Sequence, residues 1–537
     1  MVFTTKLLSG NEAIALGAYE AGVKVGTGYP GTPSTQILEV LTTFQDVYTE
    51  WSVNEKVAFE VALGASLAGV RALVTMKHVG LNVAADPLFT SVYTGVKGGL
   101  VIVVADDPDM HSSQNEQDSR HYARAAKIPM LEPADSEEAR LFTRLAFELS
   151  EQYDTPVLLR STTRLSHGKS IVKVEDLKRP ILPQPGFTRN IAKYVMVPSN
   201  ARKRHQAVEE RLLRLSLAIP SLPFNLIEKQ PSQVGIITSG VCYQYVKEVF
   251  PEAAVLKLGL VWPLSLEQIR DFCNHYENLF CIEELDGFFE TELKAFGFKV
   301  KGKELLPVTG EYSPSIIKER LAGYFQTKPV DHRSRQTQAS LSELKLPPRP
   351  PALCPGCPHR TIFKILAELG LVVAGDIGCY TLGVMPPFSA MDTCVEMGGS
   401  IGLAQGIELA EGPEGQSKAV AVIGDSTFAH SGITGLINAA YNKRTSVIIV
   451  LDNNTTAMTG MQPNPFSGQR INGESTTAID YRLLGQAVGL QDENIRLVDA
   501  ARPEEVLTNL KELLATKRLS LLVVKGPCMI WKRKQKK

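Results

Sequence analysis

Asp425 and Asn453 combine a carboxylate with an amide oxygen, and residues 427–452 separate Asn453 from the Gly424-Asp425-Ser426 step. With a backbone carbonyl from the turn after Asn453, at Thr455, they make a hard oxygen set suited to Mg²⁺, leaving other positions for diphosphate oxygens and water. Gly424 is expected to let the backbone approach a phosphate, and a helix N-terminus just beyond favours an anion there. A second set of residues carries sulfur. Cys354 and Cys357 form a C-x2-C step that runs into Pro358-His359-Arg360, Cys379 follows Asp376-Ile377-Gly378, and Cys528 follows Gly526-Pro527. The C-x2-C step alone is compatible with zinc, a redox dithiol or half of an iron-sulfur site. Four thiolates arriving from loops of one sheet suit a [4Fe-4S] cluster, and zinc as well.

The elements that must position these groups follow from the apolar pattern. Ala419 to Ile423 and Ser446 to Leu451 read as buried parallel strands, with a helix over Gly432 to Tyr441 that Ser431 can cap. This is a βαβ unit. Its loops, Gly424 to His430 and Asp452 to Gly460, are expected side by side at the carboxyl ends of the strands, where open α/β sheets bind ligands and where Asp425 can meet Asn453. A strand over Ser520 to Val524 delivers Cys528, and Cys379 is placed at a strand end. Gly398 and Cys394 belong to a glycine-rich helix start expected to line the same ligand. His359 either reaches a diphosphate or is a helix-start histidine with no such role.

Upstream, a helix over Asn11 to Ala21 and a strand over Val23 to Val25 lead into Gly26 to Thr35, with Ser34 or Thr35 as cap. Glu55 opens a helix whose small residues Ala58, Val61, Ala65 and Ala68 form a packing stripe. Strands over Ala72 to Thr75, Leu100 to Ala105 and Pro156 to Arg160 follow; the first two deliver Met76 to Asn82 and Asp106 to Arg120, both crowded with polar side chains. A first domain is expected over residues 1–180, then a linker with a charged helix over 181–230, and a smaller α/β domain over 231–330. A proline-rich linker over 331–351, a second doubly wound domain over 352–530 and a basic tail over 531–537 complete the chain.

Composition narrows the class. The 537 residues suffice for about three or four domains with their own cores. With 57 basic and 57 acidic side chains the net charge is zero, which gives no reason to expect nucleic acid. Met1 to Gly10 lacks the apolar run of a secretory signal, and no run approaches the roughly 20 apolar residues of a membrane helix. A cytoplasmic protein is expected, so its eight cysteines are not a disulfide framework. Cys242, Cys273 and Cys281 read as buried small hydrophobes.

Gly424-Asp425-Ser426 with Asn453-Asn454 resembles the thiamine diphosphate motif, departing from it at Ser426, where the motif has glycine. Tyr29-Pro30-Gly31-Thr32-Pro33-Ser34 resembles the opening loop of the 2-oxoacid:ferredoxin oxidoreductases, and together with CPGCPHR, DIGCYTLG, MDTCVEMGGSIG and GDSTF the chain resembles the indolepyruvate ferredoxin oxidoreductase alpha subunits from about Leu8 to Cys528. The resemblance implies a thiamine diphosphate-binding α/β fold. In it, two doubly wound parallel-sheet domains, of pyrimidine and diphosphate type, flank a smaller domain like the transketolase carboxyl-terminal domain. It implies that Glu55 shares a proton with the aminopyrimidine ring, that Thr32 faces the substrate, and that Asp425 and Asn453 hold Mg²⁺ with Gly424, Ser426 and His359 near the diphosphate. Cys354, Cys357, Cys379 and Cys528 match the positions of a proximal [4Fe-4S] cluster, Cys528 being the least secure of them. Lys77, His78, His111 and Arg120 are the candidates for a 2-oxoacid's carboxylate and developing oxygen, with no ground for choosing among them.

The implied activity is oxidative decarboxylation of aryl pyruvates to acyl-coenzyme A. The implied partners are a smaller beta- or gamma-type subunit in a dimer of heterodimers and a separate ferredoxin-like acceptor, because the family's C-terminal two-cluster region is missing before Lys537. Two other readings predict different outcomes. A non-oxidative 2-oxoacid decarboxylase would use Glu55, Asp425 and Asn453 without a cluster, and a non-catalytic scaffold subunit would bind no thiamine diphosphate.

Overall fold

Strands that read as unbroken apolar runs are buried along their whole length, as parallel strands covered on both faces must be. The computed structural model describes residues 3–175, 179–180, 182–325, 347, 349–412 and 419–535. Most of the linker expected over 331–351, and residues 536–537 of the basic tail, lie outside the described residues. Those up to 325 form one compact unit and those from 347 onward a second.

The first unit is built on a seven-stranded sheet. Its strands lie in the order Leu260–Trp262, Met130–Leu131, Val157–Thr162, Leu100–Asp106, Ala72–Lys77, Val25–Gly28 and Tyr48–Trp51. All pair in parallel except Leu260–Trp262, which runs antiparallel to Met130–Leu131. Register sets the site edge: Lys77 is level with Ala105, and Asp106 with Thr162. A five-stranded sheet in the order Val300–Lys301, Asn278–Ile282, Val234–Ser239, Ala254–Leu258 and Leu226–Glu228 shares a core with it. The smaller α/β segment is thus not free-standing. After Ala254–Leu258 the chain changes sheets, and Leu260–Trp262 extends the larger one.

Two local readings shift. The strand expected over Val23 to Val25 forms over Val25–Gly28, and the helix Glu55–Leu67 buries Ala58, Phe59, Ala62 and Ser66 rather than the stripe through Val61, Ala65 and Ala68. Small residues run around much of this helix, so they do not select a face; the one bulky aromatic, Phe59, does. Asn54 caps the helix by accepting the Val57 amide at 3.0 Å. Cys242, Cys273 and Cys281 are buried, as expected.

The second unit carries a five-stranded parallel sheet in the order Val372–Ala374, Ala419–Gly424, Val447–Asp452, Ser520–Lys525 and Ile495–Asp499. No described helix is long and apolar enough to cross a membrane.

Buried ion pairs join the two sheets of the first unit. Arg160 donates to Asp106 at 2.7 Å and to Glu132 at 2.5 Å, and Glu132 also accepts from Ser239 of the smaller sheet at 3.1 Å. Arg160→Ala would leave two buried carboxylates unpaired, and we expect a loss of about 3–5 kcal/mol, read as a lower urea midpoint of this unit. Glu284 has its carboxyl pushed up to about 7 by burial, against the lowering effect of the Tyr312 amide that it accepts. A raised folded value means that its stabilising contribution is complete below the ordinary pKa of about 4.5 and is lost as pH rises to about 7. Glu284→Gln is expected to flatten that part of the unfolding-versus-pH curve, by on the order of 3 kcal/mol across the window.

Candidate functional site

In the first unit the carboxyl edge of the seven-stranded sheet gathers most of the expected residues. Glu55, at the first turn of its helix, is buried against the backbone of Gly80; a Cβ there would stand 2.5 Å from Glu55 Oε1. Gly31, next to Thr32, lies on Lys77, where a Cβ would come within 3.0 Å of the Lys77 Cβ. Ser34 does not cap the following helix but turns back to the Gly31 carbonyl at 2.9 Å. Lys77 donates to the Ser112 carbonyl at 2.5 Å, and burial brings its ammonium down to about 8 against the pull of Asp107. Asp107 binds the Ser112 amide at 2.8 Å and Thr163 Oγ1 at 2.6 Å, fixing the loop that carries Ser112. His78 is buried; its Nε2 faces the Asn115 carbonyl at 3.2 Å, while Nδ1 has no partner.

Two candidates have other work. Arg120 donates to Asp118, to Glu283 at 2.6 Å and to the Glu284 carbonyl at 3.0 Å, so most of its guanidinium is spent on the frame. His111 lies near the surface, 3.5 Å from Glu311. Gly80, Asp107 and Ser112 were not singled out in the sequence; Asp107, beside Asp106 at a strand end, carried a usable signal.

In the second unit Gly424 ends its strand and caps a helical run that starts at once with Asp425. The run widens to π-helical turns over Phe428–Gly432 and continues through Ile433–Tyr441. Ser431 is therefore inside the run rather than its cap, and bonds His430 Nδ1 at 2.7 Å. Gly424 has φ −82°, so it is not needed for its backbone freedom; a Cβ there would strike the Tyr380 ring at 2.5 Å. Gly398 likewise has a structural job: its amide goes to Asp376 at 2.7 Å, and a Cβ would strike Ser431 at 2.4 Å.

Asp425 accepts from Asn464 Nδ2 at 3.1 Å and from the Ser426 amide at 2.9 Å. Burial, and after it the neighbouring Asp452 carboxylate, raise its pKa well above the carboxylate range. Lys525 stands 3.8 Å from Asp452, too far to neutralise the pair closely. Two buried carboxylates with an amide oxygen nearby are an oxygen donor set that a hard cation relieves. Asn454, at φ +64°, turns the chain so that the Thr455 amide reaches Asn453 Oδ1 at 3.1 Å. The two loops do meet, through Thr456 Oγ1 donating to Ser426 Oγ at 2.9 Å. Asp452 follows from its strand-end position; Asn464, within a proline-flanked turn, had no sequence signal.

His359 opens its helix, and its Nε2 lies 3.3 Å from Asn453 Nδ2. Burial holds its pKa down near 4, so the imidazole is neutral at physiological pH, with Nε2 accepting and Nδ1 carrying the proton. Beside it a cavity of about 90 Å³ is lined by Cys354, Cys357, Cys379 and Cys528, with Asn453 and Met529. Cys379 opens a short 3₁₀ turn beyond the strand Val372–Ala374 instead of ending it. Cys528 is placed by its amide, which donates to the Asn453 carbonyl at 3.1 Å. Gly526 allows this approach, since a Cβ there would meet Pro358 at 2.6 Å. Burial pushes the Cys357 thiol up to about 11 and the Cys379 thiol up to about 12, the neighbouring thiols adding to both. Cys394 is not among the residues that line the cavity.

Comparison with known proteins places this arrangement. The family model for pyruvate flavodoxin/ferredoxin oxidoreductase, thiamine diphosphate-binding, matches residues 16–212, and that for the thiamine pyrophosphate enzyme C-terminal TPP-binding domain matches residues 376–524. Indolepyruvate oxidoreductase subunit IorA of Archaeoglobus fulgidus is 40% identical, over 99% of this chain and 88% of its own length. The subunit of the same name from Thermococcus kodakarensis is 40% identical, over 98% and 86%. A solved 2-oxoglutarate:ferredoxin oxidoreductase from Magnetococcus marinus has a similar fold, with TM-score 0.51 at 16% identity. That match covers 59% of this chain and 65% of the other, so it spans less than two thirds of the solved chain. The expected α/β fold of thiamine diphosphate-binding type is thereby met. The chain belongs to the indolepyruvate oxidoreductase IorA family of thiamine diphosphate-dependent 2-oxoacid:ferredoxin oxidoreductases.

Proposed function

We propose that the chain is the catalytic subunit that oxidatively decarboxylates aryl 2-oxoacids of the indolepyruvate type. One 2-oxoacid, coenzyme A and two oxidised one-electron acceptors give acyl-coenzyme A, carbon dioxide, a proton and two reduced acceptors. The observation that carries this reading is the joint lining of one cavity by Cys354, Cys357, Cys379 and Cys528 with His359 and Asn453, next to the buried carboxylates Asp425 and Asp452. The four thiols suit zinc as well as a [4Fe-4S] cluster. The same unit matches a thiamine pyrophosphate-binding domain, whose oxidative chemistry releases electrons one at a time, and this favours a [4Fe-4S] cluster on these four residues.

Thiamine diphosphate, when bound, supplies the electron sink for decarboxylation. Asp425, Asn453 and the Thr455 carbonyl would hold Mg²⁺; Gly424, Ser426 and neutral His359 would meet the diphosphate. Glu55 would hold a proton toward the aminopyrimidine ring. Lys77, still mostly protonated at pH 7, would meet the substrate carboxylate, with Thr32 and His78 around it. A smaller beta- or gamma-type subunit, assembly as a dimer of heterodimers, a ferredoxin-type acceptor and a cytoplasmic location belong to the same reading; all eight cysteines are free thiols. So do domain boundaries near residues 180, 230, 330, 351 and 530.

Anaerobic purification with iron and thiamine assays, followed by dye reduction with a panel of 2-oxoacids and coenzyme A, tests this function. We expect iron, bound thiamine diphosphate and the fastest reduction with aryl pyruvates. Absence of iron together with dye reduction that ignores the 2-oxoacid would overturn it, and an aldehyde product without iron would mark a non-oxidative decarboxylase. Gly80→Ala tests Glu55 separately. Displacing its carboxylate is expected to lower 2-oxoacid-dependent dye reduction roughly 10–100-fold while iron content stays unchanged.

A further inference from the structure

The chain as a whole is neutral, yet the two segments that carry three of the four cavity cysteines contain no carboxylate. Residues 349–364 hold Cys354 and Cys357 with Arg349, Arg360 and Lys364, and residues 525–535 hold Cys528 with Lys525, Lys532, Arg533 and Lys534. Lys364 stands 3.9 Å from Glu368, Lys525 stands near Asp452, and Arg360 lies over the Phe388 ring. Lys532, Arg533 and Lys534 are exposed on the helix Met529–Lys534, and none makes an ion pair among the described residues. This helix begins at the cavity wall: Cys528, Met529 and Ile530 all line it.

The cavity also opens outward here. Cys354 is exposed, and Ile530 keeps 44% of its surface in solvent. An exposed apolar spot at the mouth of a thiol cavity, edged by unpaired cations, has the layout of a transient protein interface, with an apolar centre and a charged rim. With zero net charge the chain as a whole supplies no long-range attraction, so an anionic partner must be drawn by a local basic patch such as this rim.

We propose that the basic rim formed by Lys532, Arg533 and Lys534 beside Cys354 and Ile530 is the docking surface for an acidic electron-acceptor protein, an inference that rests on the cluster reading above. Each encounter would pass one electron to one oxidised acceptor, so two encounters complete the oxidation of one 2-oxoacid. Of the four cysteines Cys354 is the exposed one, and the helix that carries the rim starts at the wall of the same cavity.

The test compares the wild-type holoenzyme with a variant carrying Lys532→Glu, Arg533→Glu and Lys534→Glu. An acidic two-[4Fe-4S] ferredoxin serves as protein acceptor, and a small uncharged quinone as control. At low ionic strength the second-order rate constant for ferredoxin reduction is expected to fall about 10–100-fold in the variant, and its steep salt dependence to disappear. Quinone reduction, the KM for coenzyme A, and iron and thiamine content should not change. Ferredoxin reduction at the wild-type rate would overturn the proposal. So would a raised KM for coenzyme A with unaltered ferredoxin kinetics, which would make the rim a nucleotide site. A neutral variant, with glutamine at the same three positions, supplies the comparison if the reversed one does not fold. Calorimetric titration of ferredoxin onto the wild-type chain and the variant reads docking without electron transfer. A preparation without iron that still binds ferredoxin through the rim would sink the cluster reading and leave the docking face standing.

Discussion

Pairing between two parallel strands continues beyond their ends, and the second unit's candidate site depends on that continuation. Val447–Asp452 and Ser520–Lys525 form a regular ladder; past it the Gly526 amide still reaches the Asp452 carbonyl at 2.9 Å, and the Cys528 amide reaches the Asn453 carbonyl at 3.1 Å. These two bonds join the oxygen-bearing turn to the last cysteine. Without them Cys528 would sit on an untethered segment, and the cavity would lack a wall. Gly526 makes the arrangement possible because Pro358 occupies the space a side chain would need.

Burial then sets the chemistry of the groups so gathered. His359 is kept neutral, which suits a hydrogen-bonding role and excludes a permanent cation beside Asn453. The thiols of Cys357 and Cys379 are held in their protonated forms by the same desolvation, a state that bound metal reverses. Asp425 and Asp452 are left with a charge conflict that hydrogen bonds from Asn464 and Asn454 only partly offset. This is the pair that the Mg²⁺ of the proposed function would relieve.

The first unit solves a different problem. Its candidate residues sit at a strand end, at helix starts and in turns, and these hold position only if the sheets under them do not slide. The buried pairs of Arg120 and Arg160 with Asp118, Glu283, Asp106 and Glu132 connect the strand ends to the smaller sheet. Arg120 shows how this constrains function: the residue type is right for a carboxylate ligand, but most of its donors are committed to the frame.

Residue types and spacing by themselves determined the parallel α/β fold, the helix-start position of Glu55, the strand-end positions of Lys77, Asp425 and Asn453, and the four cysteines as a set. These follow from local rules, since an apolar run, a helical pattern and a C-x2-C turn each express their geometry within a few residues. Only the tertiary structure decided that Leu260–Trp262 joins the other sheet, that Ser431 lies inside a helical run, that Gly398 packs on Ser431, and that Asn464 comes back to Asp425. Each of those depends on which distant backbone approaches, and long-range approach is set by packing and buried charge rather than by any neighbouring residue.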